Sequence, residues 1–362
     1  MTSGPYTSIR PGQVWLDTEG NRIQAHGGSV LHHDGAFYWY GENKERTTPG
    51  SGVWHWGVRC YRSTDLYNWD DLGVIIPPVE DDPSSPLHPA QFADRPHIVR
   101  TADGRWVCWI KVMTKSGPQE STILVADDLL GPWTMVRTSL RPLGMNSGDF
   151  DLVVDPHDGK GYYYFERVHS ELICADLTAD LTDVTGYYST HFPLGRPPAV
   201  REAPAYFTRN RLHYLITSGT TAYLPNPSEV AVARTYHGPW TVLGDPHPDD
   251  ASRTSYCSQV SSVFRHPDKE DLYIAVADRW LPGLLDSPDY PTGRLSADIE
   301  TAFASYQPGM EPVLPPSFTP AVREVVKQEN TSLADYVWLP IRFDGEMAYL
   351  DWHDEWRVED FD

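Results

Sequence analysis

Basic residues are scarce in this chain of 362 residues, in which 29 Lys and Arg stand against 50 Asp and Glu, a formal net charge of -21 at pH 7. Affinity for nucleic acid and for anionic membranes rests on clustered Lys and Arg, so neither is expected as a partner. The sequence contains no run of about 18 apolar residues, which is the length that would predict a membrane span. The first ten residues also lack the basic and apolar segments of a signal peptide, and a cytoplasmic location is therefore expected.

Cysteine is also sparse. The four cysteines, Cys60, Cys108, Cys174 and Cys257, are widely spaced, lie mostly in aromatic or apolar runs and form no CxxC motif. This pattern favours reduced, buried thiols over disulfides or a metal site. No cofactor and no catalytic metal are expected, because no cluster of ligands with metal spacing is visible in the sequence.

Turn-forming and aromatic residues are abundant, with 32 Pro, 27 Gly, 13 Trp, 20 Tyr and 11 Phe, a composition that favours strands and turns. A two-strand unit recurs, in which a short strand is followed by an Asp/Gly or Asn/Arg turn and then by an aromatic strand. Its five copies begin at Ser29, Pro96, Asp151, Pro204 and Ser261.

The copies begin 67, 55, 53 and 57 residues apart, which suits blades of four strands. The sequence therefore predicts an all-β protein, a five-bladed β-propeller in a single domain over residues 1–362. An unrelated β-sandwich is the alternative, because it also consists of short strands. Two strands in the tail, from Tyr336 to Trp356, are expected to complete the last blade.

Polar residues precede the first strand of each copy. They read AHGG from Ala25, ADRP from Ala93, SGDFD from Ser147, REAP from Arg201 and YCSQ from Tyr256. In a propeller these strand starts converge on one pocket at the axis. Hydrolysis of a glycosidic bond needs a proton donor and a group that activates water, and this pocket offers candidates for both.

These segments, together with YWYGENK at Tyr38, ITSGTTAYLPNP at Ile216, ADRW at Ala277 and YVWLP at Tyr336, resemble glycoside hydrolase family 43 over nearly the whole chain. The resemblance is greatest to the branch with exo-β-1,3-galactanases and galactofuranosidase-like proteins. It implies that Glu202 is the general acid and that Asp149 tunes the pKa of Glu202 and holds the sugar. Asp151, two residues further along the strand, could exchange roles with Asp149.

One expected residue is absent. Most family members carry an Asp base near the start of the first blade, where this chain has His26. The exo-β-1,3-galactanase branch shares this absence, and its pattern implies that Gln259 holds the attacking water. A neutral amide is a poor base, so Glu42 ranks second and His26 is a further candidate. His26 could also be a structural polar residue at the axis.

Further substrate-binding candidates follow from the same motifs. Asp94 stands where that branch has a substrate-binding Glu, and an ion pair with Arg95 is its structural alternative. Trp54 and Trp56 could stack on sugar faces or pack in the core. The other candidates are Tyr223, Asn226 and Arg279.

The resulting hypothesis is an exo-acting, inverting glycosidase that removes terminal galactosyl residues, as β-galactofuranose or β-1,3-linked galactose, from an oligosaccharide. An α-L-arabinofuranosidase of the same family and a non-catalytic sugar-binding propeller are the alternatives. The sequence does not fix the oligomeric state.

Overall fold

Antiparallel sheets dominate the computed structural model, which describes residues 5–113, 118–193, 196–288, 290–304, 313 and 315–362. Four sheets have four strands each, in the orders β1-β2-β3-β4, β5-β6-β7-β8, β9-β10-β11-β12 and β13-β14-β15-β16. A fifth sheet has the order β17-β18-β19. We refer to these sheets, in chain order, as blades 1 to 5.

The strands of the blades have the following bounds. Blade 1 contains β1 (His26–His33), β2 (Ala36–Glu42), β3 (Val58–Ser63) and β4 (Asp70–Ile76). Blade 2 contains β5 (Phe92–Arg100), β6 (Trp106–Met113), β7 (Gln119–Ala126) and β8 (Thr134–Leu140). Blade 3 contains β9 (Ser147–Val154), β10 (Gly161–Arg167), β11 (Glu171–Leu177) and β12 (Val184–His191). Blade 4 contains β13 (Glu202–Arg209), β14 (Leu212–Ser218), β15 (Glu229–Ala233) and β16 (Thr241–Gly244). Blade 5 contains β17 (Gln259–Arg265), β18 (Tyr273–Arg279) and β19 (Asp335–Pro340).

The first strand of every blade contacts the first strands of both neighbouring blades, so that β1, β5, β9, β13 and β17 form a closed ring. This ring is the axis of a five-bladed β-propeller, and it confirms the predicted fold class. The predicted turns also form. Asp34 and Gly35 between β1 and β2 have φ values of 48° and 75°, as a type I′ hairpin turn requires.

The tail differs from the prediction, because only β19 joins blade 5. The other two tail strands, β20 (Arg342–Asp344) and β21 (Met347–Tyr349), pair with each other in a separate hairpin. Phe343 of this hairpin packs against Phe207 and Tyr214 of blade 4 and against Tyr273 of blade 5, so the hairpin contacts both blades.

A helical segment between β18 and β19 was not predicted. It contains α1 (Arg294–Ala304) and α2 (Pro320–Gln328). Short 3₁₀ helices lie at Pro142–Gly144, Pro282–Asp286, Tyr290–Thr292, Thr331–Leu333 and Val358–Asp360. No helix among the described residues has the length and apolar character needed to cross a membrane.

The apolar core lies within and between the blades. Between blades 1 and 5, the rings of Trp39 and Trp338 lie 4.5 Å apart, and Trp15 packs against both. An antiparallel bridge between Ile9 and Trp356 joins the two ends of the described chain beside this cluster. All four cysteines are buried and unbridged, as the sequence predicts.

Candidate active site

A cavity of about 340 Å³ lies where the first strands of the blades begin. Glu202, Gln259, Asp149 and Asp94 line it, each from the start of the first strand of its blade, and Glu42 lines it from the end of β2. The convergence of strand starts that the repeats predict is therefore present.

A β-bulge interrupts the pairing near the start of each of the five first strands. Gly27, Arg95 and Ala203 lie in three of these bulges, with φ values of 58°, 51° and 48°. Left-handed backbone costs about 1–2 kcal/mol for a residue with a Cβ atom. Bulges near active sites re-aim side chains, and here Arg95 enters the cavity.

Glu202 is buried at the first position of β13. Burial and the negative charges of Asp149 and Glu166 raise the pKa of Glu202 well above its usual value. A raised pKa favours the protonated form of the carboxyl group, which is the form that a general acid requires.

Asp149 is held by two cations. Nε of Arg95 lies 2.9 Å from its Oδ2, and Nζ of Lys111 donates to its Oδ1 over 2.7 Å. Burial opposes the charge of Asp149, but Arg95 and Lys111 hold its pKa below its usual value. The two neighbouring carboxyl groups thus have pKa values shifted in opposite directions, that of Asp149 downwards and that of Glu202 upwards.

Gln259, at the first position of β17, is held through both atoms of its side-chain amide. Its Nε2 donates to Oγ of Ser218 over 2.8 Å and to Oε1 of Glu202 over 3.4 Å. Its Oε1 accepts hydrogen bonds from Nη2 of Arg95 and from Nε1 of Trp280. The amide is thus fixed in one orientation beside the carboxyl group of Glu202.

Glu42 and Asp94 share a buried lysine. Nζ of Lys44 lies 2.8 Å from Oε2 of Glu42 and 3.6 Å from Oδ1 of Asp94. Oε1 of Glu42 accepts the backbone N–H of Arg95 over 2.8 Å, and burial raises the pKa of Glu42 to about 7. Asp94 lies near Lys44 and Lys111, whereas Arg95 pairs with Asp149.

Aromatic rings form one wall of the cavity. Trp54 donates its indole N–H to Asp94 over 2.5 Å, and its ring stacks against Tyr223 with 5.9 Å between centroids. Tyr223 in turn contacts Trp280, at 4.9 Å. Phe303 of α1 also lines the cavity. This wall can pack on the apolar face of a sugar.

His26 does not reach this cavity, although the sequence places it among the candidates. Its ring is fully buried, with Nδ1 3.0 Å from Oδ1 of Asp278 and Nε2 3.2 Å from Oε1 of Gln24. The ring also stacks on Tyr336 at 4.8 Å. Both ring nitrogens are hydrogen-bonded away from the cavity. This position fits the alternative role of His26, that of a structural polar residue.

Trp56, Asn226 and Arg279 also lie outside the wall of this cavity. Trp56 packs under the guanidinium of Arg46, 3.6 Å from the ring centroid. The side chain of Asn226 bonds the backbone N–H and C=O of Gly219, which fixes a loop. Arg279 donates to the carbonyls of Gly12 and Tyr256.

Asp149 and Asp151, the two candidates for the residue beside the acid, line different cavities. Asp151 lies 3.0 Å from Nε2 of His97 and accepts the backbone N–H of Tyr206 over 2.7 Å. It lines a separate cavity together with His97. Asp149 alone of the two lines the cavity with Glu202.

Sequence reasoning missed four charged or titratable residues of the cavity wall. They are Arg95, Lys111, Glu166 and His169. Lys111 and Glu166 interrupt the otherwise apolar strands WVCWIKVM and GYYYFER, and this interruption was the available signal. The sequence suggested Arg95 only as an ion-pair partner of Asp94.

One cluster of possible metal ligands contains Glu166, His169 and Glu202, whose ligand atoms all lie within 4.8 Å of one another. In the described part of the chain, no other set of three or more His, Cys, Asp or Glu residues is this close together. Their donor types would suit a divalent cation. Glu166 and His169 are, however, already hydrogen-bonded to each other over 2.7 Å. The arrangement is a hydrogen-bonded pair beside an acid.

The propeller ring and the buried carboxyl group of Glu202 in its axial cavity fit one class of protein, a glycosidase on a five-bladed β-propeller. Residues 22–294 match the model of glycosyl hydrolases family 43, about three quarters of the chain, and the chain belongs to that family. No curated protein sequence matches the chain.

Solved structures of the same family are similar over nearly the whole chain. A β-1,3-galactosidase is 25% identical with a TM-score of 0.77, over 98% of this chain and 64% of its own. A second β-1,3-galactosidase, solved with galactodeoxynojirimycin, is 25% identical with a TM-score of 0.74, over 97% of this chain and 100% of its own. An exo-β-1,3-galactanase from Clostridium thermocellum is 26% identical with a TM-score of 0.71, over 96% of this chain and 66% of its own. The chain thus spans about two thirds of the length of the first and third of these proteins.

Proposed function

We propose that this chain is an exo-acting, inverting glycosidase that removes terminal β-1,3-linked galactose from oligosaccharides. The observation that carries the proposal is the buried carboxyl group of Glu202, which lies 3.4 Å from the amide of Gln259 in the axial cavity. The β-1,3-galactosidases and the exo-β-1,3-galactanase among its structural relatives support galactose as the sugar.

In the proposed reaction, Glu202 gives its proton to the glycosidic oxygen, and the leaving sugar departs with a new hydroxyl group. Water attacks the anomeric carbon from the opposite face and its oxygen forms the new bond. Inversion requires that this water be held while the terminal sugar is bound. The amide of Gln259, fixed by Arg95, Ser218 and Trp280, is the group proposed to hold it.

The proton released from water must be accepted by a base, and a neutral amide is a poor one. Glu42 is proposed as the acceptor, because it is a carboxylate in the cavity wall whose pKa of about 7 lies near neutrality. Arg95 connects it to Gln259, since the backbone of Arg95 bonds Glu42 and its guanidinium bonds Gln259. Asp149 keeps Glu202 protonated, and Asp94, Trp54 and Tyr223 are proposed to contact the sugar.

The test is hydrolysis of β-1,3-galactobiose followed by proton NMR, with wild type and Glu202→Gln. We expect α-galactose to appear before the equilibrium mixture, and we expect Glu202→Gln to lose at least about 100-fold in kcat. The loss should be much smaller on 4-nitrophenyl β-galactopyranoside, because nitrophenolate leaves without acid help.

The substrate panel also includes 4-nitrophenyl β-galactofuranoside and α-L-arabinofuranoside. Turnover of a furanoside alone would replace galactopyranose as the proposed sugar but would keep Glu202 as the acid. Sugar binding without turnover of any substrate would contradict the proposed reaction.

A further inference from the structure

Glu166 and His169 form a pair in the cavity wall that the proposed reaction does not use. Nδ1 of His169 lies 2.7 Å from Oε1 of Glu166, and both residues face the cavity. The Glu166 side chain is 2% exposed, whereas that of His169 is 14% exposed. The carboxylate is therefore fixed inside the wall, and the imidazole lies at its outer edge.

The backbone opposite makes room for this pair. A Cβ atom on Gly148 would lie 2.1 Å from Oε2 of Glu166. Any other residue at position 148 would displace the carboxylate, since contacts below 3.0 Å with a Cβ atom do not occur. The position of Glu166 thus depends on a glycine that immediately precedes Asp149.

The pair comes from outside the central ring of first strands. Asp94, Arg95, Asp149 and Gln259 all come from first strands, which form the central ring. Glu166 comes from β10, the second strand of blade 3, and His169 from the turn that follows it. Glu42 and Lys111 also come from second strands, whereas His169 lies in the turn that leads from the second strand to the third, towards the rim of the blade.

An exo-acting enzyme buries the terminal sugar and leaves the rest of the chain towards the opening. The glycosidic oxygen lies at the acid that protonates it, so the leaving sugar lies beyond Glu202 on the outer side. Glu166, His169 and Glu202 have polar atoms within 4.8 Å of one another, a distance that one sugar ring can span.

From this placement we infer that His169 binds a hydroxyl group of the leaving sugar and that Glu166 positions His169 for that contact. The inference rests on the proposed function and deepens it, because it assigns the recognition of the leaving group. An imidazole bonded to a carboxylate is held in one orientation, and it can exchange hydrogen bonds with a hydroxyl group. A leaving group without sugar hydroxyls makes no such contact.

The experiment compares three substrates in wild type, His169→Ala and Glu166→Gln. β-1,3-Galactobiose has a sugar as leaving group and needs the acid. Methyl β-galactopyranoside needs the acid but has no leaving sugar, and 4-nitrophenyl β-galactopyranoside needs neither. A hydrogen bond involving a charged group is worth about 1.5–3 kcal/mol, so we expect kcat/KM for galactobiose to fall about 10- to 100-fold relative to methyl galactoside in His169→Ala.

Glu166→Gln keeps an oxygen that can accept from His169, and we expect a smaller loss with the same substrate order. His237→Gln is the matched control, because His237 forms a similar pair with Asp176, at 2.7 Å, outside the cavity wall. It should leave the ratio between the substrates unchanged.

Two outcomes would overturn the inference. Equal losses on galactobiose and methyl galactoside would show that the pair acts on the acid Glu202, and equal losses on all three substrates would show a structural role. A wild type inactive on every galactoside would instead contradict the proposed function, which separates the two failures.

Discussion

The side-chain amide of Gln259 donates to Oε1 of Glu202 across 3.4 Å, between the first residues of two neighbouring blades. A propeller brings such residues together because its first strands form a closed ring. The two residues are 57 positions apart in sequence. The proposed acid and the proposed water-holding group are therefore positioned by the repeat itself.

Replacing Asp149 with Asn should move the alkaline limb of the kcat/KM profile to lower pH. The charge of Asp149 raises the pKa of Glu202, and its loss also leaves Arg95 and Lys111 uncompensated beside the acid. Both changes favour ionised Glu202, so its pKa should fall. The measurement is the pH profile on methyl β-galactopyranoside, which requires the acid. An unchanged limb in a folded variant would show that Asp149 does not tune Glu202.

Replacing Glu202 with Gln should stabilise the protein, and increasingly so as the pH rises. The pKa of Glu202 is raised on folding, so the unfolded chain ionises first and folding is disfavoured above the usual carboxyl pKa of 4.5. Gln does not ionise and escapes this penalty. Below about pH 4 the difference in stability between the two proteins should stop changing with pH, because the carboxyl group is then protonated in both the folded and the unfolded state.

Thermal unfolding between pH 4 and 9 measures this difference. Glu19→Gln, at an exposed position, is the control and should show little dependence on pH. A constant difference between wild type and Glu202→Gln across the range would contradict a raised pKa.

Substitution of Trp54 should weaken substrate binding much more than substitution of Trp56. Trp54 lines the cavity and bonds Asp94, whereas Trp56 packs on Arg46. We expect Trp54→Ala to raise KM for galactobiose about 10-fold, because an aromatic contact is worth on the order of 1 kcal/mol beyond the buried area of the ring. Trp56→Ala should change KM less than twofold. Similar effects in both variants would show that the cavity wall is misassigned, and steady-state kinetics decide between these results.

The sequence predicted the blades well because each hairpin carries its own signal, such as Asp34 and Gly35 between alternating strands. It also predicted the convergence of Glu202, Gln259 and Asp149, since this follows from ring closure alone. The bulges were not predictable in the same way. That Arg95 enters the cavity beside Asp94 depends on a left-handed residue in the middle of a strand, which nothing in the local sequence requires.

The direction of side chains at strand starts explains why His26 lies away from the cavity. The pairing of β1 with β2 shifts between His26 and Ser29, and the ring of His26 turns towards Asp278 and Tyr336. Lys111 and Glu166 were missed for a related reason. Alternation identifies a buried position, but only the assembled ring shows that this position faces a polar cavity.

Replacing His26 with Ala should therefore lower stability without altering substrate binding. Its ring is fully buried and bonds Asp278 and Gln24, and removing one partner of a buried pair costs about 3–5 kcal/mol. Denaturant unfolding should show this loss, whereas KM for galactobiose in the folded variant should stay within about twofold of wild type. His32→Ala, at an exposed position of β1, is the matched control and should change neither quantity. If His26 instead activated water, kcat of the fully folded variant would fall by at least about 100-fold.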